Sequence, residues 1–336
     1  MLTAPPPPVP PALPGYCELH CVSNFTFLRG ASHPEELVAR ACELGYAALA
    51  ITDECSLAGV VRAHVAAKQC GLKLIIGTEV RVEDGPTLLL LATNRESYGH
   101  ISALITRARG RAVKGRYLVT WADLEWNLDH CLVVLIPPEP HPHPRPLLRF
   151  KCALALEGEV VQYARYLAQR FPQRAWIAVE LLRGPNDAAH LDALRELSAQ
   201  SGLPLVAAGD VHMHVRSRKA LQDTMTAIRH GVTVAEAGDR LLPNAERHLR
   251  TRLALARTYP PELLAESVAI AGRCDFSLDV LRYEYPVELV PVGQTATAYL
   301  REITLQGLAT RYPHGTPAHV SEPKLPLICS PARSCR

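Results

Sequence analysis

Two hydrophobic patterns alternate along most of this chain. Short, nearly continuous apolar runs end in acids or histidines, and longer stretches between them repeat apolar residues every three or four positions. The short runs are YCELH, AALAIT, LKLIIGTEV, TLLLLAT, CLVVLI, AWIAVELL and LPLVAAGDVH. Their length and lack of polar alternation predict buried strands. Between most of them, stretches such as PEELVARACELG, LAGVVRAHVAAKQCG and DAAHLDALRELSAQSG carry the helical period. Ser32 ahead of Pro34 and Glu35 predicts a helix start, and Gly45, Gly71 and Gly202 predict helix ends. Seven strands with intervening helices predict an α/β fold, a distorted (β/α)7 barrel of the TIM type, rather than an open parallel sheet.

In such a barrel, chemistry gathers where the strands end. The ends carry Glu18 and His20, then Asp53 and Glu54, Glu79, Glu180, and finally Asp210 and His212. Asp210 and His212 are two apart, so an extended backbone would point both the same way. Val22 stands in the same relation to His20 and offers no donor. A lone strand-end acid is commonly a helix cap, but several acids and histidines converging on one mouth suggest more. Mixed oxygen and imidazole donors suit Zn, Mn or Fe, and paired ions can activate water against a phosphate ester. The chemistry first suggested is that of a metal-dependent phosphoesterase.

Composition narrows the setting. The chain has 336 residues, enough for a barrel and an extension, and its net charge of +3 argues neither for nor against nucleic acid. No apolar run is long enough to span a bilayer. Residues 1–15, MLTAPPPPVPPALPG, lack the features of a secretory signal and read as a proline-rich disordered leader. The ten cysteines form no C-x-x-C pair. They are expected to be reduced thiols in a cytoplasmic protein. His141 and His143 fall in the proline-rich stretch PPEPHPHPRP, read as a surface loop.

The stretch ELHCVSNFTFLRGASHPEELVARACELGYAALAITDECSLAGVVRAH resembles the PHP domain that opens bacterial C-family DNA polymerases. IIGTEV, AAGDVHMH and RLLPNAERHLRTRLALARTYPPELLAESVAIAGRC resemble the error-prone α-subunit subfamily. The resemblance runs in order from about Tyr16 to Val320. It implies the family's seven-stranded barrel and a metal set of His-x-His, Asp-His, Glu, middle histidines or cysteine, and Asp-x-His. His20, Asp53, Glu79, Asp210 and His212 match that pattern, whereas Val22 and Glu54 replace histidines. A degenerate site from His20, Asp53, Glu54, Glu79, Asp210 and His212 is expected to hold Zn or Mn weakly, if at all.

The resemblance also implies a domain plan: leader 1–15, barrel 16–235, helical connector 236–320 and an atypical tail 321–336. The connector would lead toward a palm whose carboxylates hold Mg²⁺ for nucleotidyl transfer on a DNA template-primer. No such acids are expected within these 336 residues. The tail SEPKLPLICSPARSCR is read as disordered, the mark of a frameshift or truncation near Val320. Arg240, Arg247, Arg250, Arg252 and Arg257 read as a solvated helix face, or else as phosphate contacts. The function expected is thus the N-terminal portion of an error-prone DNA polymerase serving damage-induced mutagenesis and translesion synthesis. Other damage-response or replication subunits would be its partners, and no membrane is involved. Two rivals are a stand-alone phosphoesterase or proofreading exonuclease, and a non-catalytic interaction module.

Overall fold

The computed structural model describes residues 13–138, 151–281, 290–315 and 317, with the side chains of 151–157 left out. His141, His143, most of the leader and the tail lie outside the described residues. The chain divides into two compact units, Met1–Leu281 and Arg282–Arg336.

All seven strand expectations in the first unit hold: β1 (Cys17–Glu18), β2 (Ala48–Ile51), β3 (Lys73–Arg81), β4 (Thr87–Leu91), β5 (Leu132–Ile136), β6 (Ala175–Val179) and β7 (Leu205–Ala207). They form one sheet in the order β1 to β7. Past the last strand the sheet curls onto the first. Cys21 bridges Val211, the Val22 N–H donates to the Val211 carbonyl at 2.9 Å, and the Val211 N–H donates to the His20 carbonyl at 2.8 Å. Val22 is fully buried in this seam, so the position that offers no donor to the mouth joins the two ends of the sheet.

The pairing is parallel except around β4, which runs antiparallel to both β3 and β5. No helix separates β3 from β4, so the chain turns back through residues 82–86 as a hairpin. This reversal puts Thr87, the start of β4, at the end of the barrel where the other strands finish. It accounts for the absence of a ligand after TLLLLAT, whose C-terminal end points to the opposite side.

Helices α1 (Pro34–Glu43), α2 (Val60–Cys70), α3 (Arg95–Gly110), α4 (Trp121–Glu125), α5 (Lys151–Arg170), α6 (Asp187–Ser201), α7 (Lys219–His230) and α8 (Val234–Ala237) follow along the barrel, then α9 (Arg252–Thr258) and α10 (Pro261–Gly272). Strand alternation splits the apolar residues into two clusters. Leu49 and Ile51 join Leu37, Val38 and Ala41 of α1 in the outer layer. Ala48, Ala50, Leu19, Leu89 and Val134 fill the interior with Ile270 and Ala271 of α10. This last helix closes the barrel floor: the Cys17 N–H donates to Ser267 Oγ at 3.1 Å, and Trp176 Nε1 donates to Glu266 at 2.8 Å. Residues 236–281 therefore fold as part of the barrel unit. In the second unit, α11 (Ala296–Arg311) starts with Thr295 Oγ1 accepting the Ala298 N–H at 3.2 Å.

Candidate functional site at the barrel mouth

With the lower interior filled by apolar side chains, the polar strand ends meet in a cavity of about 970 Å³ at the other end. His20 is buried at its centre. Its Nδ1 lies 2.7 Å from Glu180 and its Nε2 lies 2.8 Å from Glu79. A neutral imidazole has one N–H, so two carboxylate partners call for the doubly protonated cation. Burial opposes that charge, but Glu180 and Glu79 outweigh it and raise the pKa to about 9.

Arg29 arrives from the loop after β1. Its guanidinium grips Glu79 with two parallel bonds of 2.6 and 2.8 Å, and lies 3.6 Å from both Asp210 and Glu54. This is the planar fork that arginine offers a carboxylate. Burial would raise the Glu79 carboxyl, but Arg29 and then His20 hold it well below the usual range. Arg247 pairs with Asp210 from the opposite side. The acids Glu79, Glu180 and Asp210 therefore face three cations, His20, Arg29 and Arg247, with Glu54 a further acid beside Arg29 at the rim.

Beneath this layer Glu18 ties the seam. Its carboxylate accepts Tyr16 Oη at 2.8 Å, the His20 N–H at 3.0 Å and the Gly209 N–H at 2.9 Å. At the rim, Glu54 accepts Tyr117 Oη at 2.9 Å.

The structure brings His20, Glu79, Asp210 and His212 together, with Glu54 at the edge, but not Asp53. Asp53 accepts from the Ser23 N–H, Ser23 Oγ and Thr26 Oγ1, each at 2.7 Å. It serves as the anchor of the loop that presents Arg29. Asp210 departs from the extended conformation expected of it, with φ at +42°. It still meets its neighbour, for His212 Nε2 lies 2.9 Å from Asp210 Oδ1. Burial, then the charges of Arg29 and His20, press the His212 pKa well below normal. Its Nδ1 is a buried atom without a hydrogen-bond partner.

One orphaned nitrogen does not make a metal centre. Among the described residues no group of three or more His, Cys, Asp or Glu is arranged to hold a metal ion. The donors of the implied metal set do not fit that role, because guanidinium and imidazolium groups already engage the carboxylates. Sequence reasoning missed Arg29 and Arg247 as members of the mouth. Glu180 was visible as a strand-end acid but stood outside the expected metal set. Arg247 and Arg250 were read as a solvated or phosphate-facing surface, and both are in fact buried. Arg250 donates to the Leu181 carbonyl at 2.8 Å and to Tyr259 Oη at 3.0 Å.

This network sets a pH optimum for stability. The folded His20 pKa is raised, so its contribution is complete below pH 6.5 and disappears as pH rises through about 9. Glu79 is lowered, so its contribution holds above pH 4.5 and fades as pH falls. His212 stays neutral in the folded chain while the unfolded chain protonates it below pH 6.5, which also weakens the fold on the acid side. Urea unfolding across pH 4 to 10 is expected to show a maximum near pH 6.5. A His20→Gln variant should lose the decline between pH 6.5 and about 9, while the buried thiols, whose pKa values burial raises, still weaken the fold above pH 9.

The PHP domain family model matches residues 18–181. An error-prone DNA polymerase of Dechloromonas aromatica is 55% identical over 316 residues, which is 93% of this chain and 29% of the relative. One from Methylococcus capsulatus is 54% identical over 306 residues, 91% of this chain and 28% of the relative. The chain thus spans less than a third of the curated relatives it matches. Among solved structures, an amidohydrolase from Chromobacterium violaceum aligns with 59% of this chain and 88% of its own, at 17% identity and a TM-score of 0.42.

Proposed function

We propose, for a chain whose residues 18–181 match the PHP domain family and which resembles error-prone DNA polymerases along nearly its whole length, that it is the N-terminal part of such a polymerase. Its barrel acts there as a metal-free structural platform for the polymerising domains. In this reading the full-length protein performs DNA-directed synthesis opposite damaged template, using Mg²⁺ held outside these residues.

One observation carries the structural role of the barrel: the bidentate grip of Arg29 on Glu79, joined by the pairing of Arg247 with Asp210. In a phosphoesterase these carboxylates would be free to bind ions that polarise the phosphate and activate water. Here each is neutralised within the protein. A divalent ion bound by Glu79 or Asp210 would have to displace a guanidinium from a buried pair, at a cost of several kcal/mol.

The purified chain is expected to incorporate no dNTP on a primed template with Mg²⁺. It is also expected to release no phosphate or nucleotide from ester or single-stranded DNA substrates with Mn²⁺ or Zn²⁺. Metal-dependent hydrolysis abolished by Asp210→Ala would overturn the structural reading. Primer extension would show that polymerising residues lie within the 336.

A further inference from the structure

The mouth accounts for the buried charges but not for a basic stretch outside it. RARGRAVKGR, at the end of α3 and in the loop beyond, holds five cations in ten positions and no acid. Only Arg111 is firmly neutralised, by Asp123 at 2.6 Å, with Arg107 3.8 Å from the same residue. Arg109 donates to the carbonyls of Cys55 and Glu54, which orients its guanidinium without cancelling its charge. The Lys114 and Arg116 side chains are exposed and meet no acid among the described residues. Five cations less one acid leave about four positive charges here, against +3 for the entire chain. Some exposed cations elsewhere are paired, as Arg62 is with Glu35 and Lys68 with Asp279, and others, such as Arg95 and Arg229, meet no acid among the described residues.

The stretch is also held in shape. The Leu118 N–H donates to the Ala108 carbonyl at 2.9 Å, and Val119 bridges Val82. Between these ties, Gly115 at φ +86° closes a turn in which the Arg116 N–H reaches the Val113 carbonyl at 3.0 Å. The turn leaves Val113 76% exposed between the cations. A positioned basic loop loses less freedom on binding than a free one. Beside it the Trp126 ring, stacked by Arg107 at 3.4 Å, remains 46% exposed. Exposed cations in one stretch whose near end, Arg107, lies over a half-exposed aromatic ring offer what single-stranded nucleic acid uses, phosphates on the cations and bases on the ring.

We propose that the 107–116 stretch and Trp126 form a binding strip for single-stranded nucleic acid on the outside of the barrel. Lys114 and Arg116 contact phosphates, and Trp126 stacks a base. The strip uses side chains other than those that pair inside the mouth, though Arg109 reaches the backbone of Glu54 at its rim, and the proposal is independent of whether the mouth binds metal.

The test uses the whole chain and a fluorescent oligothymidine of about 20 nucleotides, long enough to cover one such site. Anisotropy titrations are run across a salt series. The double variant Lys114→Ala, Arg116→Ala should bind about tenfold more weakly and lose about 1.4 from the salt slope, roughly 0.7 per phosphate contact. Trp126→Ala should weaken binding by a similar factor with the slope unchanged. A control with equal charge loss on the α2 side, Lys68→Ala with Lys73→Ala, should bind like the parent, and all variants should melt with it. Absence of binding at low salt overturns the proposal. So does a strip variant that behaves like the control.

Discussion

Replacing Arg29 with alanine is expected to destabilise the chain by about 3–5 kcal/mol, the cost of leaving buried charges without their partner. The side chain makes two short bonds to Glu79 and lies near Asp210 and Glu54. Its removal leaves Glu79 with His20 alone. The acid must then stay ionised in a poorly solvated site or take up a proton that the folded protein now keeps off it. Arg29→Lys should recover only part of the loss, because an ammonium cannot make the paired parallel bonds. Pairing Arg29→Met with Glu79→Gln should cost less than Arg29→Met alone, since the second change removes the stranded charge. Urea unfolding of the four variants checks this. An Arg29→Ala variant within about 0.5 kcal/mol of the parent would place it among ordinary surface changes.

The second large effect is expected one residue on. A Cβ on Gly30 would lie 2.0 Å from the Ser23 carbonyl oxygen and 2.3 Å from its carbon. Both are backbone atoms and cannot rotate away. Ser23 is further held by Asp53, which accepts its N–H and its hydroxyl. Gly30→Ala must therefore open the loop from Ser23 to Gly30 and carry Arg29 away from Glu79. A loss of about 3 kcal/mol or more is expected, in the range reserved for disrupted buried networks. Because both substitutions break the same grip, the Arg29→Ala, Gly30→Ala double variant should cost less than the sum of the two. Gly99, inside α3 with open space where an alanine methyl group would point, provides the contrast. Gly99→Ala should stabilise by about 0.5–1 kcal/mol through helix propensity. Denaturant midpoints for the three variants, with limited proteolysis of the loop, separate these outcomes.

The strands were legible because a buried strand is nearly continuous in apolar residues, and seven such runs stand out from helices with a 3.6-residue period. The reversal of β4 was not. Strand direction depends on whether a helix intervenes, and the short link 82–86 was the available signal. His20, Glu79 and Asp210 could be found as polar groups ending apolar strands. Their partners could not, because Arg29 sits in a loop and Arg247 lies more than 200 residues away in sequence from His20. An arginine in a loop looks the same whether it faces water or a buried carboxylate. Asp53 illustrates the converse error. Its position after β2 matched a ligand, but its oxygens turn toward the Ser23–Thr26 loop, a choice set by hydroxyl and amide donors that the strand pattern does not reveal.

Internal cations satisfy the carboxylates of the barrel mouth, so thermal unfolding with and without metal should be the same. The purified chain would be stripped with a chelator and melted alone, with Mn²⁺ and with Zn²⁺. A site occupied at a hundred times its dissociation constant would add about 2.7 kcal/mol, a clear rise in melting temperature. No rise is expected with either ion. A saturable rise that disappears in Glu79→Gln and Asp210→Asn would mean that the carboxylates hold metal and would contradict their pairing with internal cations.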